Sequence, residues 1–336
     1  MKVEIIEKSK LGRDIVFEVE KQKVDSEKSR IIQQIKKNAV VGGFRKGKVP
    51  EEIIETRFAD TIKENLLQKI IPESYVEAIK KYNIDTVIEP SVYDVQLNDT
   101  GLKFKVYTEI KPDVVIKKYK NIPVKRQKPQ DVTEQEVETV LQQWEKKPEF
   151  SASIIDPTKR RAWKDKIRSQ MEDYNKMKAS MQEEQELWDA IFKDTDFEVP
   201  EKLIEKRAAQ YTENHYRTLD LKDKTKEEKE KIVQEIFEKA KSVANTDLKK
   251  YFILDKIAEI EKITVSQQEI NSRIESISRS VGEPCEKIEE KLNKSGKIFD
   301  LEDEIRIDKA FALLKENSQW IERIILPDEE KRIQTK

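Results

Sequence analysis

One cysteine, one histidine and seven glycines in 336 residues exclude several classes of protein at once. Cys285 has no second cysteine to pair with, so a disulfide-framed secreted domain is out. His215 is the sole imidazole, which leaves a zinc centre or a His-dependent acid–base site almost nothing to be built from. In ENHYRTLD, His215 reads as a helix-surface or partly packed residue, and no metal or other cofactor is expected. No stretch approaches the roughly 18 apolar residues of a membrane span, and the opening MKVEIIEKSK lacks an apolar run of signal-peptide length. The expectation is a soluble, cytoplasmic chain with no membrane partner. A phosphate-cradling P-loop is also missing, so ATP-driven cycling is not expected.

What the chain has is charge. Asp, Glu, Lys and Arg make up 40% of it, apolar residues only 36%, and the net charge is -1. Such a composition does not fill one large core, and a chain of this length ordinarily divides into domains. Disorder is excluded by the clear periods of the apolar residues. An elongated, largely helical protein fits.

The first part is mixed. Ile15, Phe17 and Val19 alternate with Val16 and the acids, Val3 and Ile5 suggest a partner strand, and Gly12 falls between. Tyr93, Val95 and Leu97 alternate, NDTG supplies a turn, and Leu102, Phe104, Val106 and Ile110 resume, which predicts a second hairpin. Between the hairpins, Ile31, Ile32 and Ile35, then Leu66, Leu67, Ile70, Val76 and Ile79, recur at helical spacing. Asp25 or Ser26 is the expected cap of the first helix, which should run to about Ala39, with Gly42 and Gly43 ending it.

The stretch VVGGFRKGKVP joins those helices and holds three of the seven glycines. Pro50 suits the start of the next helix, with Glu51 and Glu52 behind it. This places Phe44, Arg45 and Lys46 at a loop tip, unless Phe44 folds back to staple the helices together. From Lys28 to Pro50 there is no acid, whereas Lys28, Arg30, Lys36, Lys37, Arg45, Lys46 and Lys48 all occur. A basic loop with an aromatic suits a phosphate-rich partner.

GGFRKGKVP in that setting resembles the ribosome-binding signature of the trigger factor family. The resemblance implies docking beside the nascent-chain exit tunnel of the large ribosomal subunit, against a ribosomal protein and rRNA. It assigns that contact to Gly43, Phe44, Arg45, Lys46, Gly47, Lys48 and Pro50. It also implies an FKBP-type prolyl isomerase domain, which this chain departs from. No glycine lies between Gly101 and Gly282, and that interval has no alternating run long enough for a barrel of tight turns. Catalytic residues are therefore not carried over.

After a Pro- and Lys-bearing linker come helices. Thr133 and Glu136 form a capping box before Val137, Val140, Leu141 and Trp144. A long helical stretch carries Trp163, Ile167, Met171, Tyr174, Met177, Met181 and Trp188, and a Val-Pro pair at Pro200 opens the next helix, as in the family's C-terminal domain. KDKTKEEKEK reads as a solvated helix face or arm tip. Ser266 and Glu269 box a further helix, and a last one runs from Asp300 toward Trp320. Met171, Met177 and Met181 are either packing residues or adaptable contacts for clients.

The expected architecture is an α+β ribosome-binding domain over 1–115, a linker over 116–132 and an elongated all-α chaperone domain with helical arms over 133–336. The expected function is that of a ribosome-associated, ATP-independent holdase for nascent or unfolded polypeptides, with no isomerase activity and room for a weak homodimer. The alternatives are a residual prolyl isomerase and a helical scaffold or RNA-binding protein without clients.

Overall fold

The computed structural model describes residues 1–126, 128–146, 157–219, 221 and 224–322. It has an α+β N-terminal part and a helical C-terminal part. Two compact units emerge, Met1–Asp113 with Phe197–Lys249, and Val114–Asp196 with Lys250–Lys336. The chain thus leaves the first unit and returns to it.

In the first unit, β1 (Lys2–Glu7), β2 (Gly12–Glu20), β3 (Ser91–Asn98) and β4 (Gly101–Glu109) form an antiparallel sheet in the order β1-β2-β4-β3. Phe17 pairs with Phe104 across β2 and β4, and their rings stack at 4.6 Å. Ile15, Phe17, Val19, Leu102 and Phe104 are buried on one face, as period-2 alternation demands. Over that face lie α1 (Lys21–Asn38) and α3 (Ala59–Tyr82), which contribute Val24, Ile31 and Ile32, and Ile62, Leu66 and Ile70.

Three local expectations change. Helix α1 starts at Lys21, with Glu20 as an N-cap whose side chain makes no capping bond and instead accepts from the Met1 ammonium at 3.1 Å, so neither Asp25 nor Ser26 caps the helix. Strand β2 feeds the helix directly, which brings Val24 into the core at 5% exposure. The helix ends at Asn38, within a residue of the expected end, but Ala39 turning extended ends it and not Gly42 or Gly43. On α3, Tyr75 and Ala78 face inward and Val76 is exposed; the Tyr75 hydroxyl reaches Thr108 Oγ1 at 3.3 Å, a partner that lets a polar side chain be buried.

Pro200 opens a helix, Glu201–Tyr216. Its first turn meets the buried Glu109 carboxylate, which accepts the Lys202 backbone N–H at 3.1 and 3.3 Å and the Tyr107 hydroxyl at 3.0 Å. A carboxylate at a helix N-terminus satisfies donors the helix cannot. Burial and Glu109 together push the Tyr107 phenol up to about 12. The next helix, Lys226–Ile260, begins with an unanticipated capping box between Thr225 and Glu228, so most of the charge run is its first turns. Lys222 and Asp223 of that run lie outside the described residues.

In the second unit, the capping box of Thr133 and Glu136 starts α4 (Glu134–Glu145), which packs on α5 (Pro157–Asp194). Val137, Leu141 and Ile167 form the seam. Beside it runs an ion ladder in which Arg160 meets Glu138 and Glu145, Lys164 meets Glu138 at 2.6 Å, and Arg168 meets Glu134. The last helix, Ile298–Glu316, ends short of Trp320. Trp320 sits in β6 (Gln319–Glu322), which pairs in parallel with β5 (Pro123–Arg126) inside the expected linker. Gln127 of that linker is not among the described residues.

The box of Ser266 and Glu269 also forms. Glu269 is held down to about 2, first by the Lys309 ammonium at 2.7 Å and then by the Ser266 N–H and hydroxyl. A depressed folded-state pKa stabilises above the ordinary carboxylate range, and the contribution is lost as pH falls toward that value. Glu269→Gln is therefore expected to lower the urea midpoint at neutral pH, with the difference from wild type shrinking steadily below about pH 4.

Candidate functional site

The loop between α1 and the short helix Glu51–Arg57 is built on three buried side chains. Ala39, Val41 and Val49 are 8%, 4% and 0% exposed and belong to the core of the first unit. Between Val41 and Val49 the backbone makes two turns, closed by Phe44 N–H to the Val41 carbonyl at 3.1 Å and Lys48 N–H to the Arg45 carbonyl at 2.9 Å. Gly43 and Gly47 take φ of 89° and 80°, the left-handed region in which a Cβ is strained. Pro50 then leads into the helix, its fixed φ matching the entry.

The tip is open to solvent. Phe44 is 40% exposed and outside the core cluster, so it does not staple the helices; Val41 and Val49 hold the loop instead. Arg45, Lys46 and Lys48 are exposed. The basic stretch read from the sequence is narrower in space. Lys28 pairs with Glu55 at 3.3 Å, Arg30 with Glu27 at 2.7 Å and Lys36 with Glu51 at 3.5 Å. Among the described residues, Lys37, Arg45, Lys46 and Lys48 have no ion-pair partner, so the uncompensated charge lies at the tip and in the last turn of α1 that leads to it. Chemically this is a small cationic surface around an aromatic, suited to bind and not to catalyse.

Val40 escaped the sequence reading. It is 86% exposed, the largest such value among the large apolar side chains of the described residues, and sits one residue from the loop's anchors. The signal was present, since an extended segment that buries Ala39 and Val41 must turn Val40 outward.

The methionines divide. Met171 packs against the seam of α4 and α5, whereas Met177 and Met181 are 54% and 65% exposed on the same helix as Tyr174 at 59%. His215 is exposed near the end of its helix and Cys285 packs beside Ile270 and Ile288. Among the described residues no three His, Cys, Asp or Glu side chains converge as a metal site.

Comparison with known proteins gives matches along most of the chain. Residues 1–144 match the family model of the bacterial trigger factor protein, and residues 161–316 match the model of its C-terminus. The trigger factor of Koribacter versatilis is 25% identical over an alignment of 418 residues, covering 92% of this chain and 95% of that protein. Since 92% of 336 residues falls well short of 418, about a hundred positions of that relative have no counterpart here, the size of a domain. The trigger factor of Natranaerobius thermophilus is 34% identical over 143 residues, 42% of this chain and 31% of that protein, and that of Geotalea uraniireducens 33% identical over 129 residues. These two matches span about a third of the relatives' own lengths. A solved structure from "Promiscuous Substrate Recognition in Folding and Assembly Activities of the Trigger Factor Chaperone" superposes with a TM-score of 0.56 at 13% identity, over 94% of this chain and 99% of that one. At that identity the likeness is one of fold.

Proposed function

Because this chain belongs to the trigger factor family, we propose that it is a ribosome-associated, ATP-independent chaperone that holds nascent or unfolded polypeptides. The observation that carries the docking half is the loop tip, where Phe44 and the unpaired Arg45, Lys46 and Lys48 project from a base buried in the core. Gly43 and Gly47 supply its two turns and Pro50 its exit. Its partners are the protein and rRNA surface beside the exit tunnel of the large subunit, in the cytoplasm. Residues 1–115 do the docking and residues 133–336 the holding, joined by 116–132.

The chain works without prolyl isomerase chemistry. Only residues 145–160 separate the two matched family regions, too few for a catalytic domain. Holding then rests on exposed apolar area, such as Tyr174, Met177 and Met181, which binds weakly and without sequence demand. Release needs only that folding bury the client's own apolar surface. Self-association, where it occurs, is to a weak homodimer.

The test is co-sedimentation with 70S ribosomes over a salt series. Three side-chain cations that each neutralise a phosphate release its counterions and give a log–log slope of about -2 to -3. A slope near zero, or no pelleting at low salt, sinks the docking proposal. Unchanged aggregation of an unfolded reporter on adding the protein sinks the holding half.

A further inference from the structure

Strand β3 is an edge of the four-stranded sheet, and no strand among the described residues pairs with its outer side. All eight of its residues are exposed. Register fixes its faces: Val92 and Leu97 stand opposite Val106 and Leu102, on the face the helices cover, whereas Tyr93 and Gln96 stand opposite Lys105 and Lys103. Even so, Val92 is 42% and Leu97 37% exposed, since the helical cover does not close over this edge. A groove of about 480 Å³ lies at its Leu97 end, lined by Val24, Ile62, Leu66 and Leu97 but also by three lysines, Lys21, Lys28 and Lys63, whose charge Asp25, Glu55 and Asp99 balance. An unpaired strand bordering a partly apolar groove of no net charge offers what strand addition needs, main-chain partners on one side and a place for alternate side chains on the other.

Charge selects the occupant. Edge strands are usually guarded by Lys or Pro, and β3 has neither. In a chain that is 40% charged, its single charged residue is Asp94, which Lys105 neutralises at 2.9 Å. The complement of a neutral, apolar edge is a neutral, apolar segment. The guard that does exist is the irregularity between Tyr93 and Gln96, where Asp94 takes a φ of 54°. It splits the edge into short runs, which accept a few residues and stop a sheet from growing.

We infer that the outer edge of β3 takes an extended, uncharged segment of unfolded polypeptide by strand addition, with its inward side chains entering the groove over Val24, Ile62 and Leu66. This rests on the chaperone reading and adds a client contact within the N-terminal part. Main-chain hydrogen bonds are blind to sequence, which suits a protein with many clients.

The test uses the full chain and a fluorescein-labelled seven-residue peptide of alternating Thr and Val, beside the same peptide N-methylated at every second residue. The side chains are equal, but one edge has lost its donors. The unmodified peptide is expected to bind about tenfold or more tightly than the methylated one, and to slow amide exchange within Ser91–Asn98. Val95→Lys and Leu97→Lys, each at an exposed position, are expected to remove that difference with thermal stability kept. Equal affinity for the two peptides, or protection confined to other segments, overturns the inference. So does self-association that Leu97→Lys abolishes and the peptide cannot compete, because the occupant is then a second copy. Failure of the chaperone reading shows elsewhere, as reporter aggregation that the protein leaves unchanged while the two peptides still differ.

Discussion

Replacing Phe44, Arg45 and Lys46 together by alanine is expected to weaken ribosome binding by at least about a hundredfold, with no more than about 0.5 kcal/mol change in stability. The two halves of that expectation come from the same geometry. The three side chains touch solvent and not the core, so folding gains little from them. The base that holds them, Val41 and Val49, is left intact. Single variants separate the forces. Arg45→Ala or Lys46→Ala lowers the salt slope by about 1 each, because a counterion is no longer released. Phe44→Ala weakens binding equally at every salt concentration, because an aromatic contact is not screened. Co-sedimentation across salt, with helicity checked for each variant, reads all of this. Variants that pellet like wild type reduce the loop to a helix connection and bring the scaffold alternative forward.

The second large effect concerns stability and a glycine outside the loop. Gly101→Val is expected to cost on the order of 3 to 5 kcal/mol, enough to unfold much of the N-terminal part at moderate urea. Gly101 has a φ of 136°, and a Cβ there would fall inside the van der Waals envelope of the Val19 carbonyl oxygen, a backbone atom that cannot swing aside. The strain and the clash act together, at the turn that joins β3 to β4 and brings β4 beside β2. Gly47 is the contrast. Its φ is 80°, but an added Cβ would meet nothing within 4 Å. Gly47→Ala is expected to cost only about 1 to 2 kcal/mol, while weakening ribosome binding by redirecting the tip. Urea unfolding of both variants compares strain plus clash with strain alone; equal losses defeat the argument.

Local signals were readable where the physics is local. Thr133 with Glu136 and Ser266 with Glu269 announce capping boxes, because both partners lie within one turn of backbone. The hairpin around NDTG and the alternation of Leu102, Phe104 and Val106 follow from turn chemistry and a period of two. Misreadings came where a residue's place depends on something distant. Val76 has the right apolarity for the core, but Tyr75 takes it because Thr108, on a strand, supplies its hydroxyl with a partner. Trp320 continues the helical spacing and yet lies in a strand, because residues near 123 offer it main-chain bonds. Asn121 N–H reaches the Asn317 carbonyl at 2.7 Å, and Gln319 N–H the Ile122 carbonyl at 2.8 Å, pairings that no periodicity encodes.

By itself the sequence determined the composition-limited class, the order of the helices and of the first four strands, the shortage of glycine for a further sheet domain, and the loop motif with its aromatic and cations. Those properties live in covalent order, charge count and spacing along a few turns. Tertiary structure alone decided which charges remain unneutralised, since Glu51 and Glu55 quench Lys36 and Lys28 only when two helices lie side by side. It also decided that Val41 and Val49, and not Phe44, anchor the loop, because burial is a property of what surrounds a side chain. The placement of Glu109 at the first turn of Glu201–Tyr216 belongs there too, as a contact between residues 93 positions apart. Long-range electrostatics and burial are set by proximity in space, and only the folded chain specifies that.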